Sequence, residues 1–254
     1  MGVSQPSLTK CLQRLESEFN TQLFQRSSKG LKLTSAGTKL QSEAQRLLVD
    51  FENLRSRILN SEQKIEGILK IGCHASVALY SLPHLLPSLM HENSDLNIAL
   101  EHDLSRKITE AVISSRLDVG LVINPLAHPD LIIKKVAVDQ VGFWQSTLSA
   151  KDVLLADLEL AQTQSLLKKS KKGSSQYHRI VSCPNLEVIA ELVAAGVGQG
   201  VLPSRVAKRS QRKLKLVPNT PTFLDELCLV YRVENRNSKK IKAFCDKVIS
   251  ALKD

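Results

Sequence analysis

The side chains with the clearest capacity for chemistry are Cys73 and His74, adjacent in the run ILKIGCHAS. A thiol beside an imidazole could form an activated nucleophile. The run reads as a strand over 68–73, however, and neighbours on a strand point to opposite faces, so the two are not expected to meet. GVGQG at 196–200 has the look of a dinucleotide loop, but it follows a helical stretch rather than a strand and fails the context that such a loop needs. Cysteines stand at 11, 73, 183, 228 and 245, an odd count with no metal-type spacing. They read as reduced thiols rather than a disulfide framework or a zinc site. Cys183 is a candidate redox sensor, with no resolving partner evident. No acid, base and nucleophile converge, so the sequence argues against an enzyme, and neither a metal nor a cofactor is expected.

Binding chemistry is more visible. The formal net charge is +10, a balance that favours polyanionic partners, nucleic acid foremost. Ser4 and Pro6 read as a helix start, an N-cap followed by proline in the first turn. Leu8, Leu12, Leu15 and Phe19 follow at spacings of 4, 3 and 4, one apolar helical stripe. The opposite face carries Pro6, Lys10, Gln13 and Ser17, flanked by Thr9 and Arg14, with Gln5 nearer the edge. Short polar side chains near the helix tip with cations behind them suit a helix entering the major groove. Next, Leu31 and Leu33 alternate around Lys32 after a polar turn, a hairpin whose Arg26, Lys29 and Lys32 could touch phosphates. The basic run from Arg205 to Lys215 is a second phosphate-attracting surface or a solvated helix face.

These functional segments need positioning elements. Leu40, Ala44, Leu47, Phe51, Leu54 and Ile58 alternate spacings of 4 and 3. That is a heptad seam, predicting a linker helix over 35–66 that pairs with a second copy. Thr34 is placed to cap it and Gly67 to end it. Beyond Gly67, strand-like runs at 68–73, 96–100, 119–123 and 227–233 alternate with helical patterns near 79–92, 105–116, 186–195 and 238–253. This predicts an α/β fold with a mainly parallel sheet. No apolar run reaches the roughly 18 residues of a membrane helix, and the N-terminus lacks a signal core. A cytoplasmic protein without membrane association is expected.

The stretch VSQPSLTKCLQRLESEFNTQLFQRSSKGLKLTSAG carries a specific resemblance. Ser4-Gln5-Pro6, Leu8, Thr9, Leu15-Glu16, Leu23-Phe24, Arg26 and Leu33-Thr34 with Ala36-Gly37 stand in the order of the LysR-type regulator signature. The resemblance implies a winged helix-turn-helix with Ser4–Phe19 as recognition helix. Gln5, Pro6, Thr9 and Lys10 would then approach the bases, and Arg26 and Lys29 would lie in the wing. It also implies dimerisation through the linker helix and an effector domain similar to periplasmic binding proteins, two lobes joined by two crossovers. The expected layout is a partial winged helix-turn-helix at 1–34, linker helix at 35–66, lobe one at 67–124 plus 225–254, and lobe two at 125–224. The crossovers are placed near Asn124–Leu131 and Pro218–Glu226. Ligands of such folds bind between the lobes, at strand ends and helix starts. That singles out His74, Ser76 and Asn124 on one side and Ser182, Asn185 and Gly200 on the other.

Two departures qualify the resemblance. The family carries roughly two more helices before this stretch, which suggests a truncated reader or a late start. Leu8, Leu12 and Leu15 would then lose packing worth on the order of 1.5–3 kcal/mol each, leaving a frayed reader with weakened double-stranded DNA binding. Between Gln145 and Arg179, SLLKKSKKGSSQYHR replaces the family's usual apolar and glycine-rich stretch, and is expected to be flexible. The leading expectation is a transcription regulator, dimeric or tetrameric, responding to a small-molecule effector. The alternatives are a ligand-binding module with a decayed DNA reader and, least favoured, an enzyme on the two-lobed fold.

Overall fold

The computed structural model describes residues 5–27, 30–59, 65–170 and 177–252. It divides into two compact units, one of Met1–Gln63 with Ser114–Arg116 and a larger one built from Lys64–Ile113 and Leu117–Asp254.

In the first unit, α1 (Gln5–Glu18) precedes a hairpin of β1 (Phe24–Ser27) and β2 (Gly30–Leu33), and α2 (Ser35–Leu59) follows. The hairpin pairs Phe24 with Leu33 and Ser27 with Gly30, the wing predicted from the Leu31/Leu33 alternation. Glu16 gives the Leu-Glu motif a physical role. Its carboxylate accepts hydrogen bonds from the N–H groups of Leu23 at 2.8 Å and Phe24 at 3.0 Å, fastening the start of the wing to α1. Thr34 caps α2 as predicted: its hydroxyl accepts from Gly37 N at 3.0 Å and donates to the Gln22 carbonyl. Gly37 permits a close approach, because a Cβ there would sit 2.0 Å from the carbonyl oxygen of buried Leu23.

The predicted end of the linker helix is corrected. The described helix stops at Leu59, and residues 60–64 lie outside the described part. Ile65 packs against the core of the second unit. Gly67 is no helix stop; it lies in β3 (Glu66–Cys73) at φ +88°.

The second unit continues with α3 (Ala75–Glu92), β4 (Asp95–His102), α4 (Ser105–Ile113), β5 (Val119–Ile123), β6 (Leu131–Gln145) and β7 (Val153–Ala156). Then come α5 (Ala161–Lys169), β8 (Arg179–Ser182), α6 (Leu186–Ala194), β9 (Gln199–Pro203), the single turn α7 (Ser204–Ala207), β10 (Lys215–Leu216), β11 (Phe223–Arg232) and α8 (Lys239–Leu252). The sheet runs β4-β3-β5-β11-β6-β9-β7-β8, with β10 on β6. All four strand runs and all four helical runs predicted beyond Gly67 fall on observed elements.

Two expectations about this unit change. The sheet is mixed rather than mainly parallel. Its ends are parallel, β3 with β4 and β5, and β7 with β8 and β9. Its centre is antiparallel, where β6 and β11 pair with each other and with β9 and β5. These two long strands are the crossovers. Leu131 and Ala137 bury in the apolar clusters of lobe one, whereas Val141, Phe143 and Trp144 bury in those of lobe two. The first crossing therefore lies inside β6 and not at Asn124–Leu131. A chain that keeps its ladder hydrogen bonds can pass between lobes as a strand, so the prolines at 125 and 129 mark only the loop before it. The second crossing, in β11, overlaps the stretch expected for it. Of the basic segment at 165–179, the described parts join the fold. Its first residues belong to α5, with Leu166 and Tyr177 buried, while residues 171–176 lie outside the described part.

Arg232 closes lobe one. It is 2 % exposed, and its guanidinium grips Glu234 through Nε at 2.6 Å and Nη2 at 2.8 Å. Nη1 donates to the carbonyl of Ile113, the last residue of α4. Arg232→Ala would strand that carbonyl and open a void. We expect a loss of about 2 kcal/mol, seen as a lower urea midpoint with an unchanged slope.

Candidate functional site

Between the two lobes lies a cavity of about 950 Å³, walled by α3, α4 and the loop after β5 on one side and by α5, β9 and α7 on the other. This volume suits a small molecule. Of the six residues predicted for a ligand site, His74, Ser76 and Asn124 line it; Ser182, Asn185 and Gly200 do not.

Each has a definable structural role. His74 caps α3, its Nδ1 accepting from Ser76 N at 3.2 Å. Burial lowers its pKa, against the raising influence of Glu187 and Asp157, so the imidazole favours its neutral form. Ser76 donates from its hydroxyl to Glu187 Oε2 at 3.0 Å, a bond from lobe one to the first turn of α6 in lobe two. Asn124 adopts φ +47°, which asparagine tolerates better than most residues. Its side chain donates to Asp225 Oδ1 at 2.7 Å and accepts from Glu226 N at 2.8 Å. Asn185 caps α6 by accepting from Val188 N. Ser182 is exposed at the end of β8. Gly200 is buried in β9, where a Cβ would meet Val193 at 2.6 Å; it serves the packing of α6 on the sheet.

The residues that dominate the cavity floor escaped the sequence reading. Asp139 on β6 and Asp225 on β11 are register partners, directly opposite each other across the antiparallel ladder. They are 6 % and 4 % exposed, and both line the cavity. Asp225 accepts from Asn124 of lobe one and from Gln162 Nε2 of lobe two at 3.0 and 3.1 Å. Asp139 accepts from the Ser204 hydroxyl, from Gln140 N at 2.8 Å and from Arg205 N at 3.2 Å. Burial pushes the Asp225 carboxyl up to about 6; the two amides oppose this and Asp139 reinforces it. A signal was available. Asp139 sits between Ala137 and Val141 in an alternating inward register, and Asp225 stands two residues before Leu227 in the same way. A carboxylate at an inward strand position demands an explanation.

The discounted motifs stay discounted. The Cys73 thiol is fully buried and burial pushes it up to about 12, which makes it inert. All five cysteines are free thiols, and Cys183 bonds through its sulfur to Asn185 O at 3.6 Å. GVGQG leaves α6 through Gly196, at φ +95°, and enters β9.

In the first unit, Thr9, Lys10, Gln13 and Arg14 are exposed on α1, with Arg14 paired to Glu18 at 3.1 Å. Gln5 and Pro6 open α1 and Arg26 lies on β1; Ser4 and Lys29 fall outside the described residues. Leu8 and Phe19 are half exposed, at 53 % and 54 %. On α2, Leu40 is half-buried, whereas Leu47 and Phe51 are 70 % and 65 % exposed. Leu54 and Ile58 lie on the same helix, in its last turns.

Comparison with known proteins decides the family. Residues 62–253 match the LysR substrate binding domain, and residues 1–38 match the bacterial regulatory helix-turn-helix protein, lysR family. The chain belongs to the LysR family of transcriptional regulators. It is 23 % identical to the HTH-type transcriptional regulator BbuR of Bordetella bronchiseptica over 100 % of this chain and 83 % of that protein. It is 26 % identical to the HTH-type transcriptional regulator GltR of Bacillus subtilis over 87 % of this chain and 77 % of that protein. Among solved structures, a full-length OxyR variant from Pseudomonas aeruginosa superposes with a TM-score of 0.73 at 20 % identity, covering 97 % of this chain and 86 % of its own. Full-length LysG from Corynebacterium glutamicum with bound effector Arg gives 0.69 at 13 % identity, covering 98 % and 89 %. The LysR protein described here is accordingly a regulator with an effector-binding domain and not an enzyme. Among its described residues, no helix is long and apolar enough to cross a membrane.

Proposed function

We propose that this LysR regulator binds double-stranded DNA as a homodimer or a tetramer, and that a small molecule in the inter-lobe cleft changes how its paired readers sit on the operator. The observation carrying the effector half is the cavity walled by both lobes, with Asp225 tied simultaneously to Asn124 of one lobe and Gln162 of the other. A ligand touching that junction senses the lobes' relative position, and it biases the regulator only if it prefers one arrangement. The DNA half rests on the exposed polar face of α1 and its wing. Pairing rests on the exposed Leu47 and Phe51 of α2, since a narrow apolar stripe on a long helix needs a partner. A chromosomal target places the working protein in the cytoplasm.

The test is fluorescence anisotropy with duplexes from upstream of the protein's own gene. Lys10→Ala is expected to weaken binding to all sequences and to lower the salt slope by about 1, whereas Gln13→Ala is expected to relax preference at one base position by roughly 1–3 kcal/mol. Wild-type behaviour from both variants would remove α1 as the reader.

A further inference from the structure

We propose that the cleft selects an organic cation, a small molecule bearing a primary ammonium or guanidinium group on an apolar body, with Asp225 and Asp139 as its counter-charges. This rests on the reading of the cleft as the effector site.

Of the helix starts that line the cavity, those of α3 and α7 are already engaged, while that of α5 carries no side-chain cap. Helix starts attract anions because their N–H groups have no partner within the helix. At the start of α3 the Ser76 N–H donates to His74 Nδ1 and its hydroxyl to Glu187, and the Arg205 N–H and Ser204 hydroxyl hold Asp139. At the α3 and α7 starts an incoming carboxylate or phosphate would have to displace the protein's own carboxylates. Of the cations around the cavity, Lys169 lies over the Phe223 ring, 5.6 Å from its centroid. Arg106 and Lys107 are exposed and paired with Glu110 and Asp103, each at 3.5 Å.

The floor, in contrast, holds two carboxylates that no cation hydrogen-bonds among the described residues. Among the described residues, every hydrogen bond to Asp225 and Asp139 comes from a neutral donor: side-chain amides, a hydroxyl or backbone N–H groups. The guanidinium of Arg205 lies over the Tyr80 ring, 5.8 Å from its centroid. Directly opposed residues of an antiparallel pair place their Cβ atoms about 5 Å apart, and like charges there repel. A cation between them converts that repulsion into two attractions. Oxygen capacity remains for it, since among the described residues Asp225 Oδ2 accepts only from Gln162, at 3.1 Å, and a carboxylate oxygen can accept more than one bond.

The remaining walls select an organic cation over a metal ion. Val141, Leu160, Val201 and Phe223 give the cavity an apolar surface, and Tyr80 offers a ring face. Among the described residues, no group of three or more His, Cys, Asp or Glu side chains could hold a metal ion.

The experiment is thermal-shift and calorimetric titration of the full chain with four probes of similar length: 1,5-diaminopentane, agmatine, glutarate and pentane-1,5-diol. The expected result is that one or both cations raise the melting temperature while glutarate and the diol do not, and that Asp225→Asn and Asp139→Asn each weaken cation binding about tenfold or more. A shift from glutarate or the diol without one from the cations overturns the charge assignment but leaves the cleft as an effector site. A cation shift that persists in both variants places binding outside the cleft and overturns the proposal. No shift from any probe overturns it as well, and a wider ligand screen that also left the melting temperature unmoved would then remove the effector reading itself.

Discussion

Replacing Leu47 and Phe51 together by Asp is expected to turn the proposed dimer into monomers and to lower operator affinity by about 10³-fold or more. Both side chains are at least 65 % exposed on α2, and they occupy neighbouring positions of the 4-3 seam that runs from Leu40 to Ile58. Pairing two copies would bury four such side chains, each worth about 1.5–3 kcal/mol when fully removed from water. The double variant loses this burial and adds four carboxylates to one interface. Two half-sites then bind independently, so the entropic advantage of a linked pair disappears. Sedimentation velocity reads the mass directly. An unchanged sedimentation coefficient in the variant would show that α2 is not the pairing surface. The effector unit has a separate core, so its far-UV and thermal signature is expected to persist.

Asp225→Asn is expected to stabilise the protein at neutral pH. Burial raises this carboxyl from 3.8 to about 6, so between roughly pH 4 and 6 the native state holds a proton that the unfolded state has released. Stability therefore falls as pH rises through that window. Above it the full penalty applies, at most about 3 kcal/mol. Asparagine removes the titration while keeping an acceptor oxygen for both amide donors, which converge on Oδ1. The charged and titratable neighbours, Asp139 and Tyr80, remain in place in the variant. The expected rise in melting temperature is about 5–10 °C at pH 7, shrinking to nothing near pH 4. A variant less stable than wild type at pH 7 would mean that the Asp225 charge is compensated in the free protein. Gaining stability while losing ligand affinity is the ordinary trade at a binding site.

The sequence exposed some levels of this structure and hid others, for identifiable reasons. Helices α3, α4, α6 and α8 and strands β3, β4, β5 and β11 were legible because their apolar periodicity is strong. Helix α1 and the β1–β2 hairpin were legible through a run of fixed motif positions, and Glu16, Thr34 and Gly37 show what some of those positions do. The crossing point was hidden because β6 changes environment along its length. Its middle, around Lys134 and Lys135, is exposed and charged, which breaks the pattern of a single strand. Asp139 and Asp225 each carried a local signal, an acid at an inward strand position, but their pairing was hidden. Their meaning comes from being opposed across a ladder between residues 86 positions apart, a pairing that no local window contains. His74, Ser76 and Asn124, which line the cavity, could be picked out because strand ends and helix starts are local features. Gly200 was chosen by the same logic, but the demand there is for packing space under α6.

The most direct test of the central claim is salt-dependent binding of the full chain to a labelled duplex from upstream of its own gene, set against a shuffled duplex of equal composition. The account predicts that both complexes weaken as salt rises, because phosphate contacts release counterions, while the upstream duplex stays tighter by about tenfold or more at every salt concentration. Equal affinity for the two duplexes throughout would contradict it, and would leave the two-lobed unit as a ligand-binding module without a DNA-reading function.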